Sequence, residues 1–302
     1  MPAVSIIIVS MNRPDNLFPC LESIWTHTKV SYETLVVAYM FSKENLTALR
    51  NQYPWVTVIE STELRGFSEN NNLALKQAKC EYCFIVNDDT LQKMPVIDRL
   101  LEDFSRLPEN AAAICPCILF ADGSVQTCGR APWTLGRYIN HYVHFVDETR
   151  PSRWSMKDGV FQTYTLNGAC FLIKTEAFRK VGWFDERYFF TPEDIALGHA
   201  LNDAGYSVWA DADVEITHLA GATVSSMEAA IKPTRVRGSV IFYGEPLVLK
   251  VFIWVFESLR AFKYFLLPRT PHNTIMRNTA LNVRKSVFSR LSPKAIFARL
   301  KP

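Results

Sequence analysis

Acidic residues are scarce where basic ones are most frequent. From Lys232 to Pro302 the chain carries 14 Lys or Arg against two Asp or Glu, a net of +12. The preceding 231 residues hold 19 basic and 28 acidic residues, a net of −9, so the whole-chain value of +3 conceals two opposed regions. An acidic body with a basic tail implies an anionic partner for the tail. Long apolar runs are also missing. Leu247 to Leu267 reads LVLKVFIWVFESLRAFKYFLL, but Lys250, Glu257, Arg260 and Lys263 interrupt it. Its longest clean stretch, Val251 to Phe256, is far short of the roughly 20 residues a membrane span needs. Met1 to Ser10 lacks the basic n-region and small-residue cleavage site of a signal peptide. The seven cysteines are an odd number without the spacing of a secreted framework, which points to a reducing, cytosolic setting. Cys80/Cys83 and Cys115/Cys117 suggest zinc, yet both pairs edge apolar strands, where cysteine behaves as a small hydrophobe. Gly66 to Asn72 lacks the G-K-[ST] and G-x-G-x-x-G patterns of phosphate loops. With 48% hydrophobic and 21% charged residues, the composition excludes disordered, collagenous and coiled-coil chains.

What is present is a rhythm of short apolar runs and helical stretches. Val4–Val9, Leu35–Ala38, Val56–Glu60, Phe84–Val86 and Ala111–Pro116 read as strands. Helices are expected from Pro14 or Asp15, from a Ser68 cap through Lys79, and over Pro95–Leu107. This alternation implies βαβ units and a mostly parallel, Rossmann-like central sheet flanked by helices, an α/β class. Such sheets bind ligands outside the carboxyl ends of their strands, which is where Asn12, Ala38 and Asp88-Asp89 lie. Beyond Pro116 the pattern changes. Tyr164–Lys174 reads as a strand pair around Asn167-Gly168, Glu193–Ala204 as a helix closed by Gly205, and Tyr206–Ala210 and Val214–Thr217 as short strands. The aromatic stretch Trp133, Tyr138, His141, Tyr142, His144 and Trp154 reads either as a lid or as a packed surface insert.

The stretch FIVNDDTLQ, Phe84 to Gln92, ends a buried strand in two adjacent carboxylates that repel and resist burial. Solvated turn residues, a metal site and a general base are all compatible with Asn87-Asp88-Asp89 alone. Context is more specific. Ser10-Met11-Asn12-Arg13, Gly66-Phe67-Ser68-Glu69-Asn70-Asn71-Asn72, Asn87-Asp88-Asp89-Thr90, Asn167-Gly168-Ala169, Gly182-Trp183-Phe184-Asp185-Glu186, Pro192-Glu193-Asp194 and His218-Leu219-Ala220-Gly221 follow in that order. In their number, order and spacing these motifs resemble the family 2 glycosyltransferases of the GT-A fold, in particular the rhamnosyltransferase-like branch, from about Val4 to Thr223.

The resemblance implies transfer of a sugar from a nucleotide-diphosphate donor, such as a dTDP-rhamnose or UDP-sugar, to a hydroxyl of a polysaccharide or lipid-linked glycan. It implies inversion and a divalent cation, Mn2+ or Mg2+. Asp89 corresponds to the metal ligand and His218 to the histidine that completes the metal shell. Asp194, with Glu193 beside it, corresponds to the catalytic base. Ser10, Asn12, Arg13, Arg65, Gly66, Asn71 and Asp88 fall on the donor side. Residues 1–231 then form the glycosyltransferase domain, with a nucleotide-binding half of about 1–118 and an acceptor-binding half of about 119–231. The chain departs from the family where relatives carry an Asp after the second strand, here Ala38, and a Tyr after the first, here Met11. It also lacks the second Asp and the Arg of the Glu-Asp helix, reading Ile195-Ala196-Leu197-Gly198-His199. A nucleotidyltransferase of sugar phosphates and a catalytically silent carbohydrate-binding scaffold are the alternatives from other classes. The first would show a Gly-rich loop after the first strand, and Ser10–Pro14 has no glycine.

In the basic tail, 232–302, the charges of Leu247–Leu267 fall on one broad helical face opposite Phe, Trp, Leu and Val. A basic amphipathic helix of this kind fits an anionic membrane surface at the cytoplasmic face. Packing of its apolar side on the body, or on a second copy in a homodimer, is the other reading. Nucleic acid is not an expected partner.

Overall fold

The computed structural model describes residues 3–144, 150–219 and 228–301. Ala220 and Gly221 of the last motif lie outside them. The first elements are β1 (Val4–Met11), α1 (Pro14–His27), β2 (Tyr32–Tyr39), α2 (Lys43–Gln52), β3 (Val56–Ser61), α3 (Phe67–Leu75), β4 (Tyr82–Asn87) and β5 (Thr90–Gln92). There follow α4 (Val96–Phe104), β6 (Ala111–Leu119), β7 (Val125–Thr127), α5 (Leu135–His144), β8 (Val160–Thr163) and β9 (Cys170–Lys174). The remainder is α6 (Thr175–Lys180), α7 (Glu193–Asp203), β10 (Ser207–His218), α8 (Glu228–Phe242), α9 (Leu247–Leu266), α10 (Pro271–Ser286) and α11 (Pro293–Leu300).

The backbone falls into two compact units. One comprises Met1–Leu64, Glu69–Phe184 and Asp194–Ala220; the other comprises Arg65–Ser68, Asp185–Glu193 and Gly221–Pro302. The first holds a ten-stranded sheet in the order β3-β2-β1-β4-β9-β6-β10-β5, with β7 on β6 and β8 on β10. The strands β3, β2, β1 and β4 are parallel, as the alternating pattern implies. β1 is Val-Ser-Ile-Ile-Ile-Val-Ser-Met, and its first five residues are fully buried. A strand covered on both faces has no need of polar alternation. α1 starts on Pro14, whose fixed φ suits the first helical turn. Its Leu17, Cys20, Leu21 and Ile24 enter the core with Ile6, Ile8, Phe84 and Val86.

Several elements differ from the sequence expectation. The two strands expected after Gly205 are one, β10, because a register shift between Asp211 and Glu215 takes up the polar interruption. Tyr164–Lys174 does not close on itself. β8 pairs with β10, and β9 runs antiparallel between β4 and β6. The helix after Gly66 ends at Leu75, short of Lys79. Ser68 does not cap it, since its hydroxyl is buried without a hydrogen-bond partner. All seven cysteines are buried free thiols.

In the second unit α10 packs on both α8 and α9, and α11 packs on α8. α9 buries Leu249, Ile253 and Ala261 together with one carboxylate, and exposes further apolar side chains. Glu257 is fully buried, where its Oε1 meets Lys232 Nζ at 3.2 Å and Arg260 Nη1 at 3.5 Å. Val248, Leu259, Phe262 and Phe265 face outward. Among the described residues no helix is long and apolar enough to cross a membrane.

Candidate active site

The carboxyl ends of β1 and β4 are neighbours, with Val9 opposite Asn87. Ser10, Asp88 and Asp89 therefore share one edge of the sheet. Asp88 and Asp89 form the turn between β4 and β5. β5 then pairs antiparallel with the end of β10, which sets His218 opposite Thr90. That register carries His218 Nε2 to 3.1 Å from Asp89 Oδ1. The Leu219 amide donates to the Asp89 carbonyl at 2.8 Å and holds the turn against the strand.

The other ring nitrogen, Nδ1, lies 2.9 Å from Gln126 Oε1. With Nδ1–H donating to that amide, Nε2 faces the carboxylate, either as a second N–H paired with it or as a lone pair that a cation between the two would accept. A carboxylate oxygen and an imidazole nitrogen oriented from behind are donors that fit a divalent cation. No group of three or more His, Cys, Asp or Glu side chains able to hold a metal occurs among the described residues. Two protein donors suit Mg2+ or Mn2+, which keep waters and substrate phosphate oxygens in the other positions. Gln126, on β7, was not singled out from the sequence, where it reads as one polar residue of a turn-rich stretch.

Asp88 is partly buried, and desolvation pushes its carboxyl up to about 6, with repulsion from Asp89 adding to the effect. The Ser10 hydroxyl and the Arg13 charge act the other way. That hydroxyl is buried and makes no hydrogen bond of full geometry, so its influence is that of a nearby dipole. Asn12 has a left-handed φ of 50° and is committed to shaping the loop. Its Oδ1 accepts from the Ser42 amide at 3.0 Å and from Asn45 Nδ2 at 2.8 Å. Ala38, which replaces the family's Asp, is buried opposite Ser10, and Tyr39 is packed in the core. Asn71 is buried on α3, between Asn70, which accepts from Ser61 Oγ at 2.8 Å, and Asn72, which brackets the Phe184 backbone.

Asp194 stands in the first turn of α7 and is held on both oxygens. Oδ2 accepts from Arg130 Nη1 at 2.9 Å and from the Gly168 amide at 3.1 Å; Oδ1 accepts from the Ile195 amide at 2.7 Å. The Asp194 and Arg130 side chains retain only 15% and 17% of their exposure, so solvent screens this pair less than a surface bridge. Arg130 also donates to the Leu166 carbonyl at 3.2 Å. The sequence did not mark it, because its partner lies 64 residues away. The next residue of the loop, Ala169, accepts from the Asn87 amide at 2.9 Å. Asn167–Ala169 thus ties Asp194 at one end to the strand end that bears Asp88 and Asp89 at the other. His199, four residues past Ile195, accepts from the Trp133 amide at 3.3 Å and packs edge-on against Tyr164; burial lowers its pKa.

Arg65, Gly66 and Glu193 belong to the second unit. A Cβ on Gly66 would lie 2.3 Å from the Phe189 carbonyl oxygen, so only glycine fits there. The Phe67 amide donates to the same carbonyl at 3.1 Å. Glu193 is 6% exposed.

Comparisons with known proteins bear on the family and the fold. The family model described as "Glycosyltransferase like family 2" matches residues 2–237. The O-antigen biosynthesis protein RfbC of Myxococcus xanthus is 28% identical over 221 residues, 72% of this chain and 17% of that protein. The N-acetylglucosaminyl-diphospho-decaprenol L-rhamnosyltransferase of Mycobacterium tuberculosis is 32% identical over 161 residues, 47% of this chain and 48% of that one. The chain thus spans less than half the length of either relative. The mannosyltransferase PcManGT of Pyrobaculum calidifontis, solved in complex with GDP-Man and Mn2+, superposes with a TM-score of 0.54 at 14% identity, over 99% of this chain and 79% of that one. At that identity the likeness is one of fold, a central sheet flanked by helices as in the GT-A glycosyltransferases.

Proposed function

The chain belongs to the glycosyltransferase-like family 2, and on that premise we propose that it moves a sugar from a nucleotide-diphosphate donor to a hydroxyl of a polysaccharide or lipid-linked glycan, inverting the anomeric centre. The observation that carries this reading is the shared loop Asn167–Ala169. One of its amides holds Asp194, and one of its carbonyls holds the strand end that bears Asp89. A donor whose diphosphate lies at Asp89 and His218 would present its sugar toward Asp194.

The chemistry is a single displacement. The acceptor oxygen forms a bond to the anomeric carbon as its proton passes to Asp194 Oδ1 or Oδ2. The bond from that carbon to the phosphate oxygen breaks, and the nucleoside diphosphate leaves with the electron pair. Asp89 and His218 would hold the divalent cation, which when bound neutralises charge on the leaving diphosphate. Arg130 and the Gly168 amide aim the Asp194 carboxylate and fix its rotamer. Asp88, Ser10 and Arg13 line the donor side, and Asn12 shapes the loop there. Arg65, Gly66 and Asn71 complete the donor assignment, and Glu193 supports the base. Residues 1–118 serve the nucleotide and 119–231 the acceptor. The name of the decaprenol L-rhamnosyltransferase relative supports a donor of the rhamnosyl type. The acceptor is met at the cytoplasmic face of a membrane.

A thermal-shift screen of UDP-, dTDP- and GDP-sugars with Mn2+ identifies the donor. Nucleoside diphosphate release is then compared among the wild type, Asp194→Asn and Asp89→Ala. Both variants are expected to lose about 10²-fold or more in rate. Undiminished release by Asp194→Asn rejects the base, and undiminished release by Asp89→Ala rejects the metal ligand.

A further inference from the structure

We propose that the outward face of α9 is a bilayer-contact surface that lays the protein on anionic lipid; this rests on the reading that the acceptor is met at a membrane. The helix has 20 residues, about 30 Å at 1.5 Å per residue. Leu247, Val251, Val255, Leu259, Phe262 and Leu266 recur at steps of three and four and form one stripe. Leu259 is 65% exposed and Phe262 60%. Ile275 and Phe288, from α10 and the turn after it, are each 50% exposed. A helix that borders water puts its charges out and its Leu and Phe in. Here Leu249, Ile253 and Ala261 are inside together with the carboxylate of Glu257, which Lys232 and Arg260 pair, and a second apolar stripe is left outside. Contiguous exposed apolar surface of this kind marks an interaction site.

Charge identifies the occupant. Residues 232–302 contain two acids, and both are already paired, Glu257 as above and Glu245 with Arg237 at 2.8 Å and Lys250 at 2.6 Å. Lys263, Arg269, Lys285, Arg290, Arg299 and Lys301 are exposed and have no remaining acid in that segment to meet. A second copy docked on this face would set one +12 segment against another. Anionic headgroups supply the opposite charge, and the acyl boundary beneath them receives Leu, Phe and Trp side chains. Trp254, at the margin of the stripe, already carries Arg284 over its ring at 5.3 Å, an aromatic–cation pair suited to the headgroup level. No described helix can cross a membrane, so α9 lies in the interface plane.

The test uses the full chain. The wild type, Leu259→Glu/Phe262→Glu and Lys285→Glu/Arg290→Glu are sedimented with phosphatidylcholine vesicles that contain about 30% phosphatidylglycerol or none. The wild type is expected to bind the anionic vesicles at least about tenfold better than the neutral ones, and each variant to lose about tenfold of that binding. All substituted side chains are exposed, so melting curves should overlay. The proposal is overturned if the wild type stays in the supernatant, if it ignores vesicle charge, or if the variants bind as it does. A dimer that Leu259→Glu/Phe262→Glu converts to monomer, with no vesicle binding by the wild type, assigns the stripe to a second copy instead. Nucleoside diphosphate release is read on the same samples. Release without vesicle binding rejects this surface alone, and vesicle binding without release rejects the sugar-transfer reading alone.

Discussion

Gly198 is where a single methyl group should disable Asp194, the proposed base, without touching it. It sits on α7, one helical turn after Asp194, and a Cβ there would lie 2.7 Å from Thr165 Cα and 2.8 Å from Thr165 Cβ. Carbon atoms pack at about 3.5–4.0 Å, so Gly198→Ala forces a separation of about 1 Å. The backbone of Thr165 yields poorly, because its amide donates to the Arg130 carbonyl at 3.1 Å. The helix therefore retreats and takes Asp194 with it. Bonds of 2.9 Å to Arg130 and 3.1 Å to Gly168 do not survive a 1 Å displacement. A misplacement of that size costs on the order of 10²-fold in rate. Overpacking costs about 1–3 kcal/mol, offset in part by about 1 kcal/mol of helix propensity, so the Tm should fall by only a few degrees. The assay is nucleoside diphosphate release at saturating acceptor together with a melting curve. The expected result is a kcat near one-hundredth of wild type with the donor KM little changed, since Asp89 and His218 stand on other elements. Gly136→Ala is the control, because a Cβ on that helical glycine meets nothing within 4 Å; its Tm should hold or rise slightly. A Gly198→Ala enzyme with wild-type kcat, or one whose loss lies entirely in donor KM, would refute the positioning argument.

Removing the Gln126 amide should loosen His218 and leave the two proposed cation ligands, Asp89 and His218, in place. Gln126→Leu is expected to raise the Mn2+ concentration for half-maximal activity about tenfold or more, with little change at saturating metal, read by titrating Mn2+ into the release assay. Glu245 is held down to about 2 by hydrogen bonds from Arg237 and Lys250. Its folded value lies below its ordinary 4.5, so the stabilisation is complete above pH 4.5 and is lost as pH falls toward 2. The group is substantially exposed, so the effect is modest and sensitive to salt. Glu245→Gln should lower the Tm at pH 7 and flatten its decline between pH 5 and 2 (roughly the window set by the two values); parallel declines for variant and wild type would sink the assignment.

The parallel half of the fold could be read from sequence because β1, β2 and β4 are buried on both faces and carry short, mostly apolar runs rich in Ile and Val. α2 went unread: it has a single buried residue, Leu49, and so shows little apolar periodicity. β5 has three residues and exists only because β10 reaches it. Its pairing is nonetheless what brings His218 to Asp89. Local pattern also misassigned partners: Tyr164–Lys174 looks like a hairpin in sequence, but its first arm makes only an isolated bridge from Thr165 to Arg130, and its second, β9, runs between β4 and β6. Asp89, Asp194 and His218 were marked by their motifs. The groups that aim His218 and Asp194, Gln126 and Arg130 respectively, were not. They lie 92 and 64 residues from the side chains they hold, with no pattern to link them. For α9, spacing revealed a two-faced helix. It could not say which face turns inward, because that depends on a lysine, Lys232, on another helix.

The loop Asn167–Ala169 has an evolutionary consequence. Its Gly168 amide fixes the residue assigned to the acceptor, and its Ala169 carbonyl fixes the strand end assigned to the donor. Both contacts are made by the main chain, so a change that shifts this backbone would disturb the two proposed sites together. New acceptor preference would then be acquired more readily elsewhere, as in the stretch of Trp133, whose amide donates to His199 on the same helix as Asp194.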